Sequence, residues 1–190
     1  MKTLIAICAS IFLLSGNASA SSAMPKYEST GTIELTLNGK KTTFHSTSNT
    51  VPGQADRLIH TANWRTFKPM MLGGVNLAPP GILISITARP TVEPDLSAPR
   101  LSISFSVDEN DYSLIDANRP EVKLTIKEGK HAGDYQHESA TITVSSVTPQ
   151  GDALEVRGKA AGVLSGPNTE QGSSRTLDYE AEFHVLAHPN

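Results

Sequence analysis

Apolar and polar residues exchange at every second position through most of this chain, and no other feature narrows its fold as much. In "TIELTLNGKKTTF" Ile33, Leu35 and Leu37 share one face, while Thr32, Glu34 and Thr36 share the other. "GILISITA" repeats the pattern with Ile82, Ile84 and Ile86. "RLSISFSVD" does so with Leu101, Ile103, Phe105 and Val107, and "EVKLTIK" with Val122, Leu124 and Ile126. "SATITVSSV" offers Ala140, Ile142 and Val144. "ALEVRGKAAGVLSG" offers Leu154 and Val156, then thins into Gly158, Ala160 and Gly162. The last run, "RTLDYEAEFHVLA", sets Leu177, Tyr179, Ala181, Phe183 and Val185 against Thr176, Asp178, Glu180, Glu182 and His184. Period two is the side-chain pitch of a β-strand, and one apolar face per strand marks antiparallel sheets.

Asn38-Gly39 sits between two such runs, where both residues tolerate positive φ, so a two-residue hairpin is expected there. Such a loop pairs positions whose numbers sum to an odd value. Thr42 and Phe44 therefore fall on the Leu35 face, and Phe44 enters the core. No window holds a period of 3.6 with caps; "DYSLIDAN" is the one short helix candidate. The class is read as all-β, an antiparallel β-sandwich of about eight to ten strands with at most one or two short helices. An open or closed β-barrel is the alternative; uneven strand lengths favour the sandwich. Three connections are long: Asn49 to Pro80, Arg89 to Pro99 ("RPTVEPDLSAP") and Lys127 to Glu138 ("KEGKHAGDYQHE"). Loops of that length are uncommon in compact domains and often carry function. "SGPNTEQGSS", Ser165 to Ser174, reads as a polar hairpin loop.

The first twenty residues are read as a separate segment. Lys2 precedes the apolar run "LIAICASIFLL", and "SGNASA" follows with Ala18 and Ala20. That is the order of a secretory signal peptide, and the run is too short to span a bilayer as a helix. Residues 1–20 are expected to be cleaved, leaving residues 21–190 as one domain, exported to the periplasm or, alternatively, to the extracellular space. The sole cysteine, Cys8, would leave with the leader, removing disulfides, thiolate metal sites and a cysteine nucleophile from the mature chain. Loss of Lys2 takes one of 16 basic side chains against 19 acidic ones, so the net charge moves from −3 to about −4. Neither sign forms a run, so no nucleic-acid footprint is expected, nor a polybasic membrane patch.

Catalytic signatures fail on spacing. "GVLSG" has Gly162, Ser165 and Gly166 out of register for a nucleophile elbow, and no zinc-protease, P-loop or dinucleotide motif occurs. Glu180 and Glu182 stand two apart on a polar strand face, and a hydrolase using such a carboxylate pair is one alternative function. His184 and His188 are four apart, about 13 Å on an extended backbone, too far to share one ion. His45 and His184 point away from the apolar faces by parity.

The segment "HTANWRTFKPMMLGG" gathers the only Trp with His60, Phe67, Met70 and Met71. An imidazole, two thioethers and an indole face suit Cu(I). The set is similar in kind to those that small periplasmic copper carriers use on β-barrels. That resemblance implies copper binding as a second alternative, with His60, Met70 and Met71 as ligands. In "HAGDYQ", Gly133 and Tyr135 are one residue closer than the S-G-x-x-Y of periplasmic lysozyme inhibitors, so that family is not assigned. The leading reading is non-catalytic and needs no cofactor. Trp64, Phe67, Met70 and Met71, with Tyr135 from a second long connection, would form a binding surface for another protein or a small ligand, since such residues concentrate in interface cores. The plainer reading of the same residues is filler beneath long loops.

The leader makes the first prediction. Intact-mass measurement on the exported protein should give a chain beginning at Ser21; a mass retaining residues 1–20 would sink the signal-peptide reading.

Overall fold

The computed structural model describes residues 25–51, 54–72, 75–78, 80–115, 119–138, 140–168 and 174–190. The expected leader lies outside them. Every regular element is a strand: β1 (Tyr27–Leu37), β2 (Lys40–Val51), β3 (Gln54–His60), β4 (Ala62–Phe67), β5 (Met70–Leu72), β6 (Val75–Ala78), β7 (Gly81–Ala88), β8 (Arg100–Val107), β9 (Glu121–Ile126), β10 (Gly133–Glu138), β11 (Thr141–Gln150), β12 (Ala153–Asn168) and β13 (Ser174–Pro189). No helix occurs among the described residues. The helix candidate is instead a turn around Tyr112, at φ 58, and a bridge from Leu114 to Val107; its residues 116–118 lie outside the description.

The expected hairpin is present in the expected register. Asn38 and Gly39 take φ of 47 and 80, and Leu35 pairs with Thr42 and Ile33 with Phe44. Phe44 is buried beside Ile33 and Leu35. The six later alternating runs form β7, β8, β9, β11, β12 and β13, with their apolar faces joined in one core.

Two separate sheets were expected, and the strands form one. Eleven strands run β11-β12-β10-β9-β8-β7-β4-β13-β1-β2-β3, while β5 and β6 make a separate two-stranded ribbon. β12 also pairs with β13, so the order closes on itself. The closure is narrow at two seams. Gln136 of β10 meets Ser165 of β12, and His188 and Pro189 of β13 run parallel to Asn63 and Trp64 of β4. That parallel contact makes the sheet mixed. A bend at Thr61 lets the chain pass from β3 into β4: the Thr61 N–H bonds the Thr47 carbonyl (2.9 Å) and the Thr87 N–H bonds the Thr61 carbonyl (2.7 Å). The result has the two inner faces of a sandwich and the continuous hydrogen bonding of a barrel.

Two of the stretches expected as loops are mainly strand. Asn49–Pro80 contains the end of β2 and all of β3 to β6, and Lys127–Glu138 contains β10. In the first stretch β3 ends the strand order, β4 follows a bend and β5–β6 form a separate ribbon; in the second β10 is a short strand between β9 and β12. Arg89–Pro99 is irregular, as its three prolines require. "SGPNTEQGSS" does join a hairpin, with Asn168 opposite Ser174.

The thinning of β12 has a packing reason. Gly158 lies opposite Phe183 in the β12–β13 ladder, and a Cβ there would stand 2.5 Å from the Phe183 ring and 2.6 Å from the Thr143 carbonyl oxygen. Gly166 is covered in the same way by the Tyr135 ring. Glycine in these strands is the space into which rings fold. Gly158→Ala should destabilise the protein by about 1–3 kcal/mol through overpacking. Combined with Phe183→Leu, which shrinks the ring, the loss should be smaller than the sum of the two in urea unfolding; full additivity would refute the ring-over-glycine account.

Candidate functional site

Trp64 and Phe67 lie on β4 and Tyr135 on β10, so these three do not come from one loop. Trp64 sits in β4 opposite Ile84 of β7, half-buried and packed against the core. Its indole Nε1 is buried without a hydrogen-bond partner, and its carbonyl accepts the Asn190 N–H at 3.0 Å. Phe67 closes β4 opposite Gly81, its ring end where a Gly81 side chain would stand. Met70 and Met71 lie on β5, opposite Ala78 and Asn76 of β6; their side chains fall outside the description. Tyr135 was expected on a loop surface and is instead an inward residue of β10, 1% exposed, opposite Leu124. Its hydroxyl is buried without a partner. Tyr135 packs inward because β10 pairs with β9 and turns its Gly133–Tyr135 face onto β12.

His60 ends β3, and the extended β4 runs between it and Met70. Along the chain those six strand residues span about 17 Å. Among the described residues, no group of three or more His, Cys, Asp or Glu side chains is placed to hold a metal ion. Likewise, no helix among them is long and apolar enough to cross a membrane.

His60 has a different neighbour, one that chain order hides. Its ring stacks on that of His188, with centroids 3.8 Å apart and planes 14° from parallel. The two imidazoles come from β3 and from the last turn of chain in β13, beside the parallel seam to β4. The His60 Nδ1 is buried without a partner. Burial holds the His60 imidazole below its usual pKa, the His188 charge pushes it the same way, and Asp152 opposes them.

His45 on β2 points away from the core, as parity requires, but is half-buried, and its Nδ1 is buried without a partner. His184 is exposed, as parity requires, and its Nε2 lies 2.6 Å from Glu155. The Arg157 guanidinium beside Glu155 holds that carboxyl below the usual range, with His184 second. His137 meets the Tyr179 hydroxyl through Nδ1 at 3.1 Å, and burial pushes the Tyr179 phenol up to about 12. Glu180 and Glu182 are both exposed on the outer face of β13. Glu182 stands opposite Glu34 of β1 and 3.5 Å from Lys159. Glu34 is held below the usual range by the Thr43 hydroxyl first and then by Lys41. This face is a charge-alternating, solvated wall.

One edge of the sheet differs. β3 ends the strand order and pairs only with β2. Leu58 is 52% exposed and Ile59 48% exposed. Consecutive strand residues point to opposite faces, so β3 shows apolar surface on both sides at once. His60 follows directly, which joins this edge to the His60–His188 stack. The pair "LI" between Arg57 and His60 was the only trace of this edge in the sequence. Nothing along the chain shows that β3 would be last in the sheet. Comparison with known protein families, curated proteins and solved structures gives no match in any of the three.

The stack has a pH consequence. A base whose pKa is depressed on folding leaves the unfolded chain with more bound protons near pH 6, so stability rises with pH. That contribution is full above the ordinary histidine value and is lost as pH falls through the depressed one. Urea midpoints should therefore drop between about pH 7.5 and about pH 5. His188→Gln should flatten that slope without abolishing it, because burial of His60 remains. An unchanged slope in the variant would show that the two rings do not interact electrostatically.

Proposed function

We propose that this chain is an exported, non-catalytic interaction module that docks an extended segment of a partner protein along the outer edge of β3. The observation that carries this reading is the exposure of Leu58 and Ile59 on a terminal strand. An edge strand directs backbone N–H and C=O groups away from its one neighbour, which makes it a template for another strand. A partner strand laid there would take up those groups. Its side chains would also flank Leu58 on one face and Ile59 on the other, the arrangement of β-augmentation. Covering the exposed halves of the two side chains is worth on the order of 1 kcal/mol each. β3 carries Asp56 and Arg57 in its first half, the charge that natural edges use against pairing, and Leu58 and Ile59 follow directly as the apolar part of the edge.

Glu180 and Glu182 both lie exposed on the outer face of β13, with Glu182 3.5 Å from Lys159. That solvated setting supports the non-catalytic reading over the carboxylate hydrolase.

The test places a photo-crosslinking phenylalanine analogue at position 58 and, as a control, at position 159 on the opposite outer face. In a cell-envelope extract, position 58 should give one discrete heterologous adduct that a Leu58→Lys, Ile59→Lys variant no longer competes away, while position 159 gives none. An adduct of two copies of this chain would overturn the reading in favour of self-pairing. Equal, diffuse labelling at both positions would overturn it altogether.

A further inference from the structure

A concave feature lies at the bend, on the side of β2 away from the core. It is a cleft of about 210 Å³ walled by β2, Thr61, the end of β7 and the β7–β8 connection. Its polar lining is mostly hydroxyl and amide, from Tyr27, Thr47, Asn49, Thr61, Thr87 and Thr91, with the His45 imidazole and the Arg89 guanidinium beside them; the His45 Nδ1 is buried without a partner. We infer that this cleft binds a small neutral polyhydroxyl ligand, a monosaccharide or the terminal sugar of a glycan.

Two of these hydroxyls are partly engaged by the fold. The Thr61 Oγ1 accepts a hydrogen bond from the Thr47 N–H at 2.7 Å, which leaves its proton and one lone pair. The Thr91 hydroxyl donates to the Glu93 carbonyl at 2.7 Å, which leaves its lone pairs to accept. A wall that offers a free proton at Thr61 and an acceptor at Thr91 is complementary to groups that both donate and accept, and an alcohol is the simplest of these. The Thr87 hydroxyl, 3.4 Å from Ser102, can serve either role.

Arg89 also lines the cleft, and its Nη1 bonds the Asp95 carbonyl at 2.8 Å and the Ala98 carbonyl at 3.2 Å. The guanidinium thus braces the connection. Asp95 accepts from the Ser97 N–H (2.9 Å) and hydroxyl (2.7 Å), which fixes the same turn. A braced wall loses little entropy when a ligand arrives. Val92, Pro94 and the Tyr27 ring complete the lining with apolar surface, and a sugar ring presents C–H faces between its hydroxyls. The volume equals about seven liquid waters and lies below the roughly 300–1,000 Å³ of drug-sized sites. One sugar ring is matched to it, and a longer chain would have to extend into solvent.

The test is an NMR titration of the ¹⁵N-labelled full mature chain with glucose, with N-acetylglucosamine, with a chitin trisaccharide and with sodium sulfate. At least one sugar should give saturable shifts confined to the amides of Thr47, Thr61, Thr87 and Thr91, with a Kd of about 1 mM or tighter. Thr87→Val and Thr91→Val, each shown folded by its spectrum, should each weaken that binding by about tenfold. Tighter binding of the trisaccharide than of its monomer would assign the site to glycan ends, and equal binding to the free sugar. Absence of saturable shifts with all three sugars, shifts reproduced by sulfate, or affinities unchanged in both variants would each overturn the inference. The β3 crosslinking result is independent of every one of these outcomes.

Discussion

The long antiparallel ribbon of β12 and β13 is the interaction on which the rest of the sheet depends. Twelve consecutive residue pairs, from Leu154 opposite Ala187 to Ser165 opposite Thr176, hold its two strands together. Everything else hangs from its sides: β11 and β10 along β12, β1 and then β4 along β13. Because the ribbon is longer than any of these neighbours, it reaches past them and can meet strands from both halves of the chain. Closure follows from that excess length. It is sealed by only a few residue pairs, so the seams at Gln136–Ser165 and at His188–Asn63 are the least cross-linked parts of the circuit.

The two regions with functional character both lie where the circuit turns a corner. The bend at Thr61 sends one continuous stretch of chain from the edge of one face to the interior of the other. On its outer side the bend leaves β3 without a second neighbour. In its angle it leaves the Thr-lined cleft, and at its foot it brings His60 against His188. A regular barrel with straight strands would provide none of these. The outer face of β12, β13 and β1, by contrast, is uniformly wet. Its ion pairs are exposed ones, such as Lys41–Glu34 and Lys159–Glu182, and contribute little each.

Where a strand has one buried and one solvated face, the sequence showed it outright. β1, β7, β8, β9 and β13 alternate cleanly, and the β1–β2 register followed from Asn38-Gly39 and parity alone. Where burial is interrupted, the reading lost its footing. β3 has no second neighbour and β5–β6 stand outside the main sheet, so their residues answer to no single period. Trp64 and Phe67 lie between those segments on the short β4 and looked like loop residues with them, and both are strand residues covering the core or a glycine. Tyr135 was misplaced by the glycines around it. Gly129 and Gly133 do make turns, at φ 86 and 148, but the chain recovers into β10 within the same stretch.

The sequence by itself determined that the fold is all-β, which side chains of its regular strands face inward, and where its first hairpin turns. Those properties depend on neighbours one or two residues apart, and such distances are written directly in residue order. Only the tertiary structure decided that the sheet would close, that β3 would be left at an edge, that Tyr135 would be buried, and that His60 would lie on His188. Each of those depends on which strand ends beside which across more than a hundred residues, a matter of relative strand length and of where the chain bends. Alternation carries no record of either.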